Sequence, residues 1–243
     1  MDLNYEQKRD KIIEAIRNFN SPTEYLRLNG IGLANKDMTP EIIGLIKKSG
    51  ATKIDFSFNE FTNVDFIENF KYLTVVSFCF NQLEDITKLG CLSKLRFLSL
   101  SHNKIKDITS IGSLVNIRNV CLGGNNITDI NVFSKLTRIK DISLYENKIS
   151  DLKPIEDLIG LKEISIFGNH ISDITPLSKL INLTSLNLCN NLISDTTPIK
   201  SLTKLQSLDI SWNKIEDVFQ FLNITWVPFL KINHNPFFGD GKK

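Results

Sequence analysis

Histidine and cysteine are scarce in this chain of 243 residues, three of one and four of the other, and neither is arranged for chemistry. His102, His170 and His234 lie far apart, and Cys79, Cys91, Cys121 and Cys189 form no CxxC pair and no Cys/His ligand set. Also missing are a GxSxG elbow, an HExxH helix and a glycine-rich phosphate loop. We therefore expect no catalytic residue, no metal ligand and no cofactor, and a chain that is not an enzyme. The formal net charge of +2 is too balanced to suggest nucleic acid or a membrane surface. No apolar run reaches the roughly 18 residues of a membrane helix, and the opening MDLNYEQKRDKIIEAI is too charged for a secretory leader. These absences predict a cytoplasmic protein with free thiols, or one delivered to a host cytosol by a route without a cleavable signal.

What is present is a repeat. An aliphatic pair two residues apart, then an asparagine, then another aliphatic recurs with its asparagine at Asn59, Asn81, Asn103, Asn125, Asn147, Asn169, Asn191, Asn213 and Asn235, a constant step of 22 residues. A fixed period of this size is the signature of a solenoid. In the unit beginning at Leu98 the buried set is Leu98, Leu100, Asn103, Ile105, Ile108, Ile111, Leu114 and Ile117, and the next unit places aliphatics at the same offsets. The period-two pair predicts a short strand. The return arc is too short for a full helix and carries Pro154, Pro176 and Pro198 at one equivalent position, which predicts turns and single 3₁₀ turns. Parallel strands from successive turns then stack into a sheet. Cys79 and Cys121 fall two turns apart, about 10 Å, beyond the ~7 Å a disulfide tolerates.

The ends depart from the period. Residues 5–19 read as an amphipathic helix with Tyr5, Ile12, Ile13, Ala15, Ile16 and Phe19 on one face, stopped by Asn20, Ser21 and Pro22, and its expected role is to cover the first core layer. The first repeat, opened by Leu26 and Leu28, is 28 residues long and holds a helix from Thr39 and Pro40 to Gly50. The expected organisation is a capping helix at 1–23, an irregular longer repeat at 24–53, 22-residue repeats at 54–229, and a terminal partial repeat with an aromatic cap at 230–243. Phe219, Phe221, Trp226, Phe229, Phe237 and Phe238 are expected to seal the end, with GDGKK as a polar tail.

Segments such as ISDITPLSKLINLTSLNLCNN resemble the 22-residue class of the leucine-rich-repeat family, and are similar to the repeats of bacterial internalins and of the repeat-built regulatory subunit of the type-one protein phosphatase. The resemblance implies an α/β fold: a leucine-rich-repeat solenoid, curved as a horseshoe, with a parallel sheet on the concave face and turns and 3₁₀ pieces on the convex face. It implies that the asparagine column is a buried ladder satisfying backbone groups. A second column, Asp85, Asp107, Asp129, Asp151, Asp173, Asp195 and Asp217, suits carboxylates capping the following turn better than a calcium ladder, since each turn supplies too few oxygens. The long first repeat looks more like the ribonuclease-inhibitor type. No immunoglobulin-like, anchoring or ligase domain is visible in the sequence.

Function is then sought on the residues that alternate away from the core. The column inside the aliphatic pair is small and polar, including Asp55, Ser77, Ser99, Cys121, Ser143 and Ser165. The two positions after the pair carry Phe58, Phe80, His102, Tyr145, Phe167, Trp212 and His234, with a notch at Gly123 and Gly124. Just before the strand Arg96, Arg118, Lys140 and Lys162 share a column, with Phe97 beside them. The rings either pack on one another or form binding hot spots. The basic stripe is either a solvated edge partly neutralised by Asp141 and Glu163 or a landing for an acidic partner. The resemblance implies a non-catalytic protein–protein interaction module, monomeric on its own, that binds a protein partner on its concave face and no nucleic acid or membrane. It is either an adaptor, such as a bacterial effector acting in a host cell, or a regulatory or targeting subunit of an enzyme such as a protein phosphatase. A scaffold truncated from a longer, active chain is a third reading.

Overall fold

The computed structural model describes residues 3–21 and 24–236, and the chain divides into two compact units at Asn125/Asn126. In the first unit, helix α1 (Tyr5–Arg17) begins with a capping box in which Asn4 Oδ1 accepts from the Gln7 amide at 3.0 Å and Gln7 Oε1 accepts from the Asn4 amide at 2.9 Å. Its packing is less apolar than the sequence pattern suggests. Ile12 is fully buried, Ile13 and Ile16 only partly, and a lysine, Lys8, is buried beside Ile12. Burial of that charge is balanced by Asp37, whose Oδ2 lies 2.8 Å from Lys8 Nζ and accepts from the Ala34 amide at 2.8 Å. The helix ends at Arg17 rather than at residue 19, and Pro22 lies outside the described residues.

Strand β1 (Leu26–Arg27) opens the first coil, and helix α2 (Pro40–Lys48), with Thr39 as N-cap and proline in the first turn, fills its extra length. Four more strands follow, β2 (Lys53–Asp55), β3 (Val75–Ser77), β4 (Phe97–Ser99) and β5 (Asn119–Cys121), pairing in sequence order, all parallel. The register runs Ile54 to Val76 to Leu98 to Val120, so the sequence period becomes the strand pairing without slippage. The inner side of the early coils is aromatic: Phe56 stacks on Phe78 at 5.0 Å and meets Phe61 and Phe66 edge-on at 5.8 and 5.5 Å.

The second unit repeats the plan with β6 (Asp141–Ser143), β7 (Glu163–Ser165), β8 (Ser185–Asn187), β9 (Ser207–Asp209) and β10 (Phe229–Lys231), again parallel in sequence order. Its core is mostly Ile and Leu, with Phe133, Phe221 and Val227 among them. In both units the return arcs are 3₁₀ segments, as at Thr87–Cys91 and Thr175–Lys179, and Pro154, Pro176 and Pro198 each stand in the first turn of one. The aspartate column starts these arcs. Oδ1 of Asp85, Asp107, Asp173 and Asp195 accepts from the amide two residues on at 2.8 Å. Hydrogen bonds from the hydroxyl and then the amide of Thr87, Thr109, Thr175 and Thr197 hold these four carboxyls below the usual carboxylate range.

The asparagine column is a ladder inside each unit. Asn103 Nδ2 donates to the Phe78 and Leu100 carbonyls, each at 2.9 Å, while its Oδ1 accepts from the Leu83 amide at 2.9 Å. Asn191 does the same with Ile166 O, Leu188 O and the Ile171 amide. Each side chain thus joins its own coil to the preceding one where the tight bend leaves backbone groups unpaired.

The end of the second unit corrects one expectation. Phe221, Ile224 and Val227 close the core, but Phe219 is 69% exposed, Phe229 73% exposed, and Trp226 also faces solvent. The 3₁₀ segment Val218–Ile224 turns Phe221 inward and its neighbours outward, and Phe229 sits at a strand position that alternates away from the core. Among the described residues, Phe219, Trp226 and Phe229 therefore do not join Phe221 in sealing this end. Phe237, Phe238 and GDGKK lie outside the described residues.

Candidate interaction face

Each strand buries its middle residue and turns its two neighbours to the open side of the sheet, so the outward columns follow from the pleat. In the first unit the floor of that side is hydrogen-bonded to itself. Ser57 and Ser77 hydroxyls lie 2.7 Å apart, Ser77 donates to Cys79 Sγ at 3.5 Å, and Cys79 Sγ lies 2.7 Å from Ser99 Oγ. All four cysteines are free thiols, and burial pushes Cys91 and Cys189 up, toward the neutral, unreactive form.

Beyond the strand, the residue before each ladder asparagine adopts a left-handed backbone. Phe58, Phe80, His102 and Gly124 in the first unit have φ of 57°, 54°, 57° and 64°. Glu146, Gly168, Asn190, Trp212 and His234 in the second have φ of 50°, 65°, 54°, 56° and 58°. Only glycine and, less well, asparagine take this conformation cheaply. Six of these nine positions hold other, bulkier side chains, and the rings among them face solvent.

The rings of the first unit form one stack. Phe58 lies on Phe80 with centroids 4.6 Å apart and Phe80 on His102 at 4.2 Å, near-parallel in both pairs. Phe58 is 57% exposed and Phe80 is also exposed. Gly124 ends the stack because a Cβ there would stand 2.6 Å from His102 Nδ1. In the second unit Tyr145 and Phe167 stack at 4.9 Å from the column one residue earlier, and Trp212, 55% exposed, stacks on His234 at 3.9 Å. These aromatics stand at both of the two positions after the aliphatic pair. They occupy two columns, because the residue before the asparagine and the one before that leave the bend in different directions. The rings pack on one another, and several of them are also exposed to solvent.

The basic column also divides. Arg96 and Arg118 are exposed and join none of the ion pairs among the described residues. Lys140 is half-buried, and its Nζ donates to the Gly160 carbonyl at 3.1 Å, while Lys162 is exposed. Phe97 lies half-buried at the start of β4, outward-facing and paired in register with Asn119. Glu146 and Asn190 belong to the left-handed column and escaped the sequence reading, which followed aromatics. The glycines at 124 and 168, which suit that backbone, were the available signal.

Residues 93–135, 159–201 and 181–223 match the family model described as leucine rich repeats, two copies. Among solved structures, the chain is similar to the internalin InlF of Listeria monocytogenes, with TM-score 0.77 and 27% identity over 87% of this chain and 61% of that one. It is also similar to internalin C2 of the same organism, with TM-score 0.70 and 28% identity over 78% of this chain and 83% of that one. The functional domain of InlJ from L. monocytogenes, at 20% identity and TM-score 0.65 over 85% of this chain and 48% of that one, shares the fold. The chain thus spans about 61% of the length of the InlF chain. No curated protein matches the sequence. No helix among the described residues is long and apolar enough to cross a membrane. Repeats of this fold generally serve as protein-interaction modules. With a 22-residue register carried by a buried asparagine ladder and short parallel strands, this chain has the leucine-rich-repeat fold, and its repeats are similar to those of the internalins.

Proposed function

We propose that the open side of the sheet, the concave face in solenoids of this family, is where a protein partner binds, and that Phe58, Phe80, His102, Tyr145, Phe167 and Trp212 are the anchoring contacts. The observation that carries this reading is backbone cost. Phe58, Phe80 and Trp212 stand where the fold favours glycine or asparagine, and present much of their rings to water. Neither choice serves the core. Large rigid rings set in a small polar floor are the composition of binding hot spots, each worth about 2 kcal/mol or more when fully covered. The reading extends to a bacterial effector acting on a host-cell protein, the bacterial part resting on similarity to proteins of Listeria monocytogenes.

The test is capture of a partner from host lysate by the intact chain, repeated with Phe58→Ala/Phe80→Ala and with Tyr145→Ala/Phe167→Ala. Loss of the captured protein with either pair, melting unchanged, supports the reading. Retention with both removes this face from the account. A phosphatase held in stoichiometric amount would shift the assignment to a regulatory subunit.

A further inference from the structure

The open side of the sheet carries different chemistry in each unit. In the second, the residue after the basic column is acidic, Asp141 after Lys140 and Glu163 after Lys162, and Glu146 adds a further carboxylate. In the first, Arg96 is followed by Phe97 and Arg118 by Asn119, so no adjoining carboxylate offsets either guanidinium. Arg96 and Arg118 are neighbours on adjacent strands, about 5 Å apart along the sheet. At the other edge of the sheet the Phe58–Phe80–His102 stack runs over the coils of β2, β3 and β4, so His102 shares the coil of Arg96 while Phe80 and Phe58 lie one and two coils before it, about 5 Å per coil. Six residues separate Arg96 from His102, a span of at most about 20 Å.

We propose that the face of the first unit holds an extended acidic segment of a protein partner. One apolar side chain of that segment rests on the exposed ring edges of Phe58 and Phe80, and a carboxylate about five or six residues away along the segment meets Arg96 and Arg118. This rests on the reading of the sheet face as a protein-binding surface and adds the chemistry of what it binds. Charge complementarity selects the occupant: two exposed guanidinium groups without carboxylate partners gain a paired, bidentate acceptor on binding. A nucleic acid strand is anionic too, but the ring stack does not suit one. Centroid separations of 4.6 and 4.2 Å leave no gap for a base between rings, and the arginines are too few to follow a backbone charged at every nucleotide.

The experiment pans random displayed peptides of about twelve residues, long enough to reach across the face, against the intact chain. Selected peptides are then measured against Arg96→Glu/Arg118→Glu, Phe58→Asn/Phe80→Asn and Tyr145→Ala/Phe167→Ala. Asparagine suits the left-handed backbone, so the second variant keeps its fold, which thermal melting checks. Expected are peptides with Asp or Glu about five or six positions from Leu, Phe or Trp, bound at least about tenfold more weakly by the first two variants and equally by the third. Peptides without acidic residues, no selected peptide at all, or acidic peptides indifferent to charge reversal overturn the proposal. So does an oligouridylate of equal length binding more tightly than the peptides. Peptides lost only with Tyr145→Ala/Phe167→Ala overturn it while sparing the sheet-face reading, and indifference to all three variants ends both.

Discussion

The first and second units share a register, a ladder and a left-handed bend, yet they differ in what fills them. The early coils of the first pack Phe56, Phe61 and Phe78 where later coils use Ile and Leu, and display a continuous ring stack beside two unpaired arginines. The second displays two separate ring pairs among mixed charges. Backbone groups must be satisfied identically in every coil, so Asn and the aliphatic pair recur. Outward side chains meet no such demand and are free to diverge.

Four measurements test that division between shared frame and variable filling. The largest effect belongs to the frame. Asn103→Ala and Asn191→Ala each leave one buried amide, of Leu83 or Ile171, without its acceptor, at about 1–3 kcal/mol, and remove one of the two asparagine donors from each of two buried carbonyls, at about 0.5–1.5 kcal/mol apiece, so urea denaturation should show comparable large losses in both. Unequal losses would mean the ladder is not one device used twice. Next, Phe78→Ala should cost about 3–5 kcal/mol and Ile166→Ala, at the equivalent position, about 2–5. The aromatic core has more surface to lose, and the ordering is read from the same unfolding curves.

A smaller effect should separate strain from filling. Glu146→Asn relieves a left-handed non-glycine residue and should raise stability by about 1 kcal/mol. Phe80→Asn should come out near neutral, because lost ring stacking of about 0.5–1.5 kcal/mol offsets the same relief. Calorimetric melting distinguishes them, and equal gains would show that the stack contributes nothing to folding.

The smallest effect is in acid. Hydroxyl and amide bonds hold Asp85, Asp107, Asp173 and Asp195 below their unfolded values. Their contribution is therefore present above the unfolded carboxylate pKa of about 3.9 and lost as pH falls through the lower folded values. Melting temperature followed downward from about pH 5 should drop in that window, less steeply for Thr87→Val/Thr109→Val and Thr175→Val/Thr197→Val. These groups are exposed, so the two pairs should differ little from each other.

The frame was legible because each of its requirements repeats. Asn59 through Asn235 announce the ladder, Pro176 and Pro198 announce a return arc that is not α-helical, and Thr39–Pro40 announces α2. The candidate face was legible in its members and not in its grouping. Tyr145 and Phe167 sit one residue from the column of Phe80 and Trp212, an offset plain in the sequence, but which rings stack on which follows only from the left-handed bend. Lys8 was unreadable as a buried residue because its partner, Asp37, is 29 positions away.

By itself the sequence determined a periodic stack and its direction of facing, since a strict interval between apolar residues admits one way to hide them all. Tertiary structure decided which outward side chains touch, which cations stay unpaired, and where a lysine is drawn inside. Those outcomes depend on residues a coil or more apart in the chain that come within a few ångströms only after folding.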